Sequence, residues 1–422
     1  MAPDAKHFLS GRTVFVCGAG ISGLTFVLSL LQQWDPAVPA PSEILLVDTD
    51  DRAASIARGA YDLQLNADTE EAPLVGLRDL GLLDAVLARA TTRTNPDAVM
   101  HVWDKSWKSL TTIKPKVVES FAGTPGVRIR RAALLEILVE AVEARTTIRW
   151  GTAVQDAQRL PDGTLRVSLL EKASGAASQR DCDLLVAADG DESTLRRVFR
   201  PNDDTKPIGY IAMGGQVDFG DATSAPAPLT RDFGIIVGGD GVASAVVQLN
   251  NAGKLLWSVF KEEKKAPAGD AYDNTSAAAF QALLDEARAT SKNIAEPLPT
   301  LIAKTKQETS FRRPVREREA FGHEAAALRG VVFLGDANRH VSVYMNNGGA
   351  LAVRDGIDLA RALVAQPASV EAATAAYDKT ALPRSTKSIK AGRQTMNTAH
   401  LSGLKWTLAK TALSAGSFFS GQ

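Results

Sequence analysis

The sequence predicts an α/β fold in which a parallel sheet with flanking helices is interrupted by an antiparallel sheet and followed by a helical tail. Four short apolar runs, each followed at once by a glycine or an aspartate, are typical of buried parallel strands: residues 14–17, 43–47, 182–188 and 331–334. Residues 208–260 instead alternate strand-like runs with Gly, Asp and Asn turns, which favours antiparallel hairpins. Residues 376–422 are polar with helical periodicity.

Length, charge and cysteine content limit the domain organisation and the kinds of partner that we expect. A chain of 422 residues can bury a large core and predicts two domains, which can be interleaved. Lys+Arg and Asp+Glu balance at 48 each, so no overall field favours nucleic acid or an anionic membrane. Cys17 and Cys182 are far apart in sequence and provide no disulfide framework, which fits a reducing compartment, and we expect a cytoplasmic protein. No metal-ligand spacing occurs among the cysteines and the five histidines.

The first strand leads into three glycines, Gly18, Gly20 and Gly23, which open a helical run. In this context Gly18 permits a tight turn, Gly20 lets a pyrophosphate approach the backbone, and Gly23 lets the helix pack on the strand. The second strand ends at Asp48, about where such a fold binds a ribose hydroxyl. These residues predict a Rossmann-like dinucleotide site, and they leave open whether the dinucleotide is FAD or NAD.

Residues 13–31 are also the segment that a hydropathy scan would single out as a signal peptide or a membrane span. The preceding residues, MAPDAKHFLSGR, are not a clean basic leader, and the three glycines divide the run into a strand and a helix. We therefore favour the strand–turn–helix interpretation.

Residues 335–364 carry a second candidate site. Asp336 follows a buried strand, where a carboxylate can accept hydrogen bonds from the hydroxyls of a sugar or a ribityl chain. The turn of Asn346, Asn347, Gly348 and Gly349 then opens a helix whose N-terminus suits a flavin ring that becomes anionic on reduction. The alternative is an ordinary strand–turn–helix with a capping aspartate.

Three motifs in this order resemble a known family: GAGISG from Gly18, DGDESTLR from Asp189 and GDANRHVSVYMNNGG from Gly335. Together they are similar to the class A FAD-dependent monooxygenases with the p-hydroxybenzoate hydroxylase fold, in particular the branch of tetracycline-inactivating and fungal secondary-metabolite oxygenases. The resemblance covers nearly the whole chain.

The resemblance implies roles for individual residues. Those expected to bind the adenosine and pyrophosphate part of FAD are Gly18, Gly20, Gly23 and Asp48, and Arg131 is expected to touch FAD. Those expected near the flavin, the ribityl chain or NAD(P)H are Asp62, Asp189, Arg196, Asp336 and Gly348. His340 and Tyr344 are the candidates for orienting substrate or assisting proton transfer, against a structural role for His340.

The resemblance also implies the domain organisation. Residues 1–75, 125–200 and 310–375 would form a discontinuous FAD-binding domain, and residues 76–124 and 201–309 a substrate domain built on the inserted sheet. Residues 376–422 would form C-terminal helices. Leu401, Leu404, Leu408 and Ala412 recur at helical spacing, but Lys405 and Lys410 interrupt them, so we expect a docked helix rather than a membrane span, with interfacial membrane contact as the alternative.

The implied activity is NAD(P)H-consuming insertion of one oxygen atom of O₂ into an electron-rich aromatic, polyketide or alkaloid substrate, by hydroxylation or epoxidation, in secondary metabolism. The chain departs from the family at Val343, Asn346 and Ala350, where Pro, Gly and Asn are usual, and this loop is expected against the flavin. The departures keep other hypotheses open: an FAD-binding cyclase, isomerase or oxidase, or a non-enzymatic flavoprotein. A flavin-dependent halogenase is disfavoured because its tryptophan-rich segment is missing.

Overall fold

The computed structural model describes residues 7–59, 61–69, 71–93, 100–113, 126–230, 233–249, 253–264, 272–344 and 347–414. The chain forms two compact units. The first comprises residues 1–90, 129–205 and 317–390, and the second comprises residues 91–128, 206–316 and 391–422.

The strands, in chain order, are β1 (Thr13–Cys17), β2 (Glu43–Val47), β3 (Asp62–Asn66), β4 (Ala90–Arg93), β5 (Met100–Asp104), β6 (Ser109–Ile113), β7 (Gly126–Arg130), β8 (Ile148–Arg149), β9 (Thr152–Arg159), β10 (Leu165–Glu171), β11 (Ala177–Cys182), β12 (Leu184–Ala187), β13 (Lys206–Asp218), β14 (Phe233–Val237), β15 (Ala243–Gln248), β16 (Lys254–Glu262), β17 (Phe311–Glu317) and β18 (Val331–Phe333).

The α-helices are α1 (Ile21–Gln33), α2 (Arg52–Ala57), α3 (Pro73–Asp79), α4 (Leu83–Arg89), α5 (Arg131–Glu143), α6 (Thr194–Phe199), α7 (Ala277–Thr290), α8 (Leu298–Ala303), α9 (Gly348–Ala365), α10 (Val370–Ala399) and α11 (Gly403–Ser414).

The first unit is built on a five-stranded parallel sheet in the order β18-β12-β1-β2-β8. Its central strand is almost entirely buried, and it pairs in parallel with β12 on one side and β2 on the other. The chain passes from β1 to β2 on one side and returns to β12 and β18 on the other, so the strand order reverses at β1. In open α/β sheets, ligands bind beyond the carboxyl ends of the strands at such a reversal.

Helices α1 and α9 pack closely because glycines lie where they meet. An ideal Cβ built on Gly356 would lie 2.3 Å from Thr25 Oγ1, and 2.6 Å from both the amide of Phe26 and the carbonyl of Ser22. The last two groups are backbone and cannot rotate away. Only glycine allows this approach.

The second unit contains a seven-stranded sheet in the order β17-β13-β16-β15-β14-β5-β6. The pairs β13–β16, β16–β15 and β15–β14 are antiparallel, as the hairpin pattern predicts. Strands β5 and β6 are also antiparallel, whereas β14 and β5 pair in parallel. Strand β5 comes from a distant part of the sequence, so no hairpin fixes its direction. Trp103 and Trp257 lie in the core of this unit.

Helix α11 docks within the second unit, but not through the leucine stripe. Leu404 and Leu408 are 77% and 66% exposed, while Leu413 is buried. Trp406 lies against Gly239, and Lys410 Nζ pairs with Asp104 Oδ2 at 2.8 Å. The aromatic ring and the ion pair therefore determine which face docks. Among the described residues, no helix combines the length and apolar character needed to cross a membrane.

We expect Gly356→Ala to destabilise the first unit by about 1–3 kcal/mol, because overpacking forces backbone to move. Gly76→Ala in α3 is the matched control: its Cβ would meet Ile357 Cδ1 at 2.5 Å, which is the flexible end of a side chain. Thermal unfolding of both variants checks this. Equal losses of stability would show that the α1–α9 contact is not constrained by backbone.

Candidate functional site

The predicted acidic and glycine residues follow the carboxyl ends of four adjacent parallel strands. Gly18 follows β1, Asp48 follows β2, Asp189 comes two residues after β12, and Asp336 comes three residues after β18. Because β18, β12, β1 and β2 are neighbours in one sheet, these residues share one edge of it.

The glycine turn after β1 is shaped by backbone contacts. Gly18 has φ +106°, and a Cβ there would lie 2.4 Å from the carbonyl oxygen of Ala188. A Cβ on Gly23 would lie 2.0 Å from the carbonyl oxygen of Gly18. Both glycines are therefore required by the fold itself.

Gly20 differs from its two neighbours. Its φ of −79° and ψ of −178° are open to any residue, and no described protein atom lies within 4 Å of its ideal Cβ. The space in front of it adjoins the N-terminus of α1, which has 13 residues and no side-chain cap. Neither conformation nor packing requires glycine here, and the open space beside unpaired amides suits an anionic group.

Asp48 braces this turn. Its Oδ2 accepts a hydrogen bond from the amide of Ala19 at 2.8 Å, and its Oδ1 accepts one from the amide of Asp50 at 2.9 Å. Burial raises the pKa of Asp48, and these hydrogen bonds offset part of that rise. A carboxylate has about four lone-pair sites, so it retains capacity for a ribose hydroxyl.

The turn after β18 lies against the start of α1. Gly335 has φ +56°, and its ideal Cβ would lie 2.8 Å from Ser22 Oγ. Two buried guanidinium groups support the turn from behind: Arg196 Nη1 and Arg318 Nη2 each donate to the carbonyl of Ala337 at 3.3 Å. The glycine turn and the Asp336 turn are thus close enough for one dinucleotide to contact both.

The turn after β12 contains Asp189, whose Oδ2 accepts from the amide of Leu195 at 3.1 Å. Its Oδ1 is buried and has no hydrogen-bond partner among the described residues, and burial raises the pKa of Asp189. Arg196 donates to the backbone carbonyls of Gly190, Asp191 and Asp203 as well. This guanidinium therefore links two predicted motifs to each other, and its direct contact with a cofactor stays a prediction.

The start of α9 adjoins strand β3. A Cβ on Gly349 would lie 2.6 Å from Leu63 Cδ2, so Asp62, the residue before Leu63, lies near Gly348, the first residue of the helix. Asn347 occupies the N-cap without capping the helix, because its Oδ1 accepts from Ser388 Oγ at 3.0 Å. The first-turn amides of α9 have no side-chain cap.

Arg131 begins α5, and its Nη1 donates to the carbonyls of Ser55 at 3.3 Å and Arg58 at 2.5 Å. It therefore anchors the segment that leads from α2 to β3. Its contact with a dinucleotide stays a prediction.

His340 is held by a residue that sequence reasoning missed. Its Nδ1 lies 3.3 Å from Asp191 Oδ1, an ion-pair contact without hydrogen-bond geometry, and the same oxygen accepts a hydrogen bond from Thr205 Oγ1 at 2.6 Å. Burial alone would lower the pKa of His340, but Asp191 and Asp336 outweigh it and raise that pKa. Burial alone would raise the pKa of Asp191, but His340 and Thr205 lower it. The position of Asp191 inside DGDES was the available signal.

The remaining predictions concern residues around the start of α9. Tyr344 is half-buried, Val343 is 39% exposed, and Ala350 lies in the first turn of the helix. Asn346 lies outside the described residues.

No sequence-family profile matches the chain. It is 32% identical to Monooxygenase cfoF of Aspergillus candidus over 424 residues, which cover 99% of this chain and 98% of that protein. The chain belongs to the class A FAD-dependent monooxygenases. This class A monooxygenase is also 24% identical to FAD-dependent monooxygenase vrtH of Penicillium aethiopicum, covering 94% of each chain. Its fold matches Klebsiella pneumoniae HpxO complexed with FAD and uric acid, with a TM-score of 0.74, 21% identity and coverage of 97% of this chain and 94% of that one.

The residues present fit FAD. The space at Gly20, the two helix N-termini without side-chain caps and the unpartnered Asp189 Oδ1 provide room and hydrogen-bonding groups along one edge of the sheet. The predicted family, fold class, enzyme class and use of FAD with NADPH or NADH are confirmed. The roles of individual residues stay predictions.

We expect Gly20→Ala to weaken FAD binding without destabilising the apoprotein, because its Cβ meets no protein atom but enters the space in front of the α1 amides. Gly18→Ala is the contrasting variant, since its Cβ would collide with the Ala188 carbonyl and destabilise the apoprotein as well. FAD titration and thermal unfolding of both apoproteins check this. Unchanged FAD affinity in Gly20→Ala would contradict the placement of the diphosphate.

The His340–Asp191 pair makes stability depend on pH. The raised pKa of His340 means that its stabilisation is complete below the unfolded value, about 6.5, and is lost as pH rises through the folded pKa. The lowered pKa of Asp191 means that its stabilisation is present above about 3.9 and is lost as pH falls through the folded pKa. We therefore expect His340→Gln to reduce the unfolding temperature more at about pH 5.5 than at about pH 9.

Burial lowers the pKa of His400, so His400→Gln is a control with the opposite trend. At low pH the folded state is destabilised because it keeps the His400 ring neutral, and this destabilisation disappears as pH rises. If His340→Gln had the same effect at both pH values, the ion pair would contribute nothing.

Proposed function

We propose that this monooxygenase binds FAD along the sheet edge formed by β18, β12, β1 and β2, and inserts one oxygen atom into an electron-rich aromatic, polyketide or alkaloid substrate. The observation that supports this placement of the cofactor is the open space at Gly20. The turn after β18 lies beside it, because Gly335 packs against Ser22 in α1. In this proposal the first unit binds the cofactor, and the sheet of the second unit contributes substrate-binding residues.

Bound FAD would supply the redox chemistry: two electrons from NAD(P)H activate O₂, one oxygen atom enters the substrate and the other leaves as water. The α1 amides would bind the diphosphate, and Asp48 the ribose. Asp336 would accept hydrogen bonds from the ribityl hydroxyls. The amides at the start of α9 would stabilise negative charge on the pyrimidine edge of the ring.

His340 would act in this site as an orienting group. Its Nδ1 lies 3.3 Å from Asp191 Oδ1, and this carboxylate favours the charged form of the ring. A protonated imidazole can hold a substrate oxygen or donate a proton. We propose the same kind of role, orientation of substrate, for Tyr344.

The altered loop at Val343 and Ala350 motivates a second outcome, an isomerase, cyclase or oxidase that keeps FAD but transfers no oxygen. Product formed under ¹⁸O₂ separates the two, since only monooxygenation places one labelled atom in the product. We also propose a cytoplasmic location, because Cys17 and Cys182 are both free and buried.

We expect the purified protein to be yellow and to oxidise NADPH or NADH faster when a phenolic or indolic substrate is added. Asp336→Ala should weaken FAD binding at least about tenfold, since a hydrogen bond to a charged group contributes about 1.5–3 kcal/mol. FAD titration of the apoprotein and NAD(P)H oxidation across a substrate panel check this. A folded, colourless protein that takes up no FAD would contradict the proposal.

A further inference from the structure

A cluster of buried charges lies behind the Asp336 turn in the first unit. It contains two carboxylates of α9, Asp355 and Asp358, which are 2% and 8% exposed. Arg339 after the turn, Arg354 in α9 and Arg384 in α10 pair with them at 2.6–3.0 Å. The exposed Arg361 lies farther away, at 3.8 Å from Asp358.

Within this cluster Asp355 is the carboxylate that touches the turn. Its Oδ2 accepts a hydrogen bond from the backbone amide of Gly335 at 3.2 Å and lies 2.9 Å from Arg339 Nη2. Gly335 is the left-handed residue that packs against Ser22 and immediately precedes Asp336. The Asp355 carboxylate therefore holds the backbone amide of the residue that precedes Asp336.

Arg384 holds the Asp355 carboxylate from the opposite side. Its Nη2 donates to Asp355 Oδ1 at 3.0 Å, and its Nη1 donates to Asp358 Oδ2 at 2.6 Å. A planar guanidinium can hold two carboxylates at fixed angles, whereas an ammonium group acts as a point charge.

Arg354 belongs to the same cluster but is not part of the contacts that link Arg384, Asp355 and Gly335. Its Nη2 donates to Asp358 Oδ1 at 2.6 Å, and no hydrogen bond or ion pair joins its side chain to Asp355 or Gly335 among the described residues. The Arg354 side chain is 4% exposed and that of Arg384 is 18% exposed, so removing Arg354 disturbs an ion pair that is at least as buried.

We propose that Arg384 is a positioning residue for the cofactor site: acting through Asp355, it fixes the Gly335–Asp336 turn that presents its carboxylate to FAD. The inference rests on the proposed function, which places FAD at this turn. Asp336→Ala tests that placement separately.

The test compares Arg384→Met with Arg354→Met, two equal truncations in one cluster. We expect Arg384→Met to raise the Kd for FAD at least about tenfold, the size of effect that outer-shell partners have at metal sites. Arg354→Met should change it less than about threefold. The Kd is measured by FAD titration of each apoprotein, with apoprotein thermal unfolding recorded alongside.

Two further variants keep the test decisive if Arg384→Met does not fold. Asp355→Asn preserves the shape of the side chain but weakens its hydrogen bond with the Gly335 amide. Arg384→Lys keeps the positive charge but loses the planar guanidinium that donates to two carboxylates. Both should raise the Kd for FAD more than Arg354→Met does, even where their unfolding temperatures are higher.

If the loss of FAD affinity follows the loss of stability across all variants, Arg384 is only structural and the inference is overturned. It is also overturned if Asp336→Ala weakens FAD binding while Arg384→Met and Asp355→Asn do not. If Asp336→Ala itself leaves FAD affinity unchanged, the placement of the cofactor at this turn fails, and the inference fails with it.

Discussion

The first unit depends on the close approach of backbone to backbone at the carboxyl ends of its parallel strands. The Gly18 turn lies directly on the carbonyl of Ala188, so the segments after β1 and β12 pack against each other without intervening side chains. Gly356 repeats this where α9 meets the backbone of α1, and Gly335 lets the β18 turn lie against the Ser22 side chain of α1. Because these glycines add no side chain of their own, the turns leave an edge of backbone and short carboxylates, which is where an extended nucleotide can lie.

Much of this edge could be predicted from sequence because its signals are local. Gly18, Gly20 and Gly23 lie within one strand–turn–helix, and Asp48, Asp189 and Asp336 each follow a recognisable apolar run. The sequence could not distinguish the glycines that the fold requires from the one that it does not. That distinction depends on Ala188, which lies far along the chain and adjoins Gly18 only in the folded sheet.

Contacts between distant segments explain the other features that could not be predicted from the sequence. Asp191 and His340 belong to separate motifs, and their pairing depends on the β12 and β18 turns being neighbours. Arg384 lies in a polar helix whose periodicity says nothing about Asp355. In α11 the leucine spacing indicates a helix, which the structure contains, but not the face that docks. Leu404 and Leu408 are exposed because Trp406 and Lys410, on the opposite face, contact Gly239 and Asp104.

Helix α10 contacts α9 and its N-cap through two residues one turn apart, Arg384 on Asp355 and Ser388 on Asn347. Buried ion pairs of this kind add little net stability compared with well-packed apolar groups, which favours a role in geometry. A chain shortened to end before residue 384 would therefore retain every recognisable motif and still lack two contacts that support the last of them, the one from Gly335 to Gly349. Domain boundaries chosen for expression should lie beyond this helix.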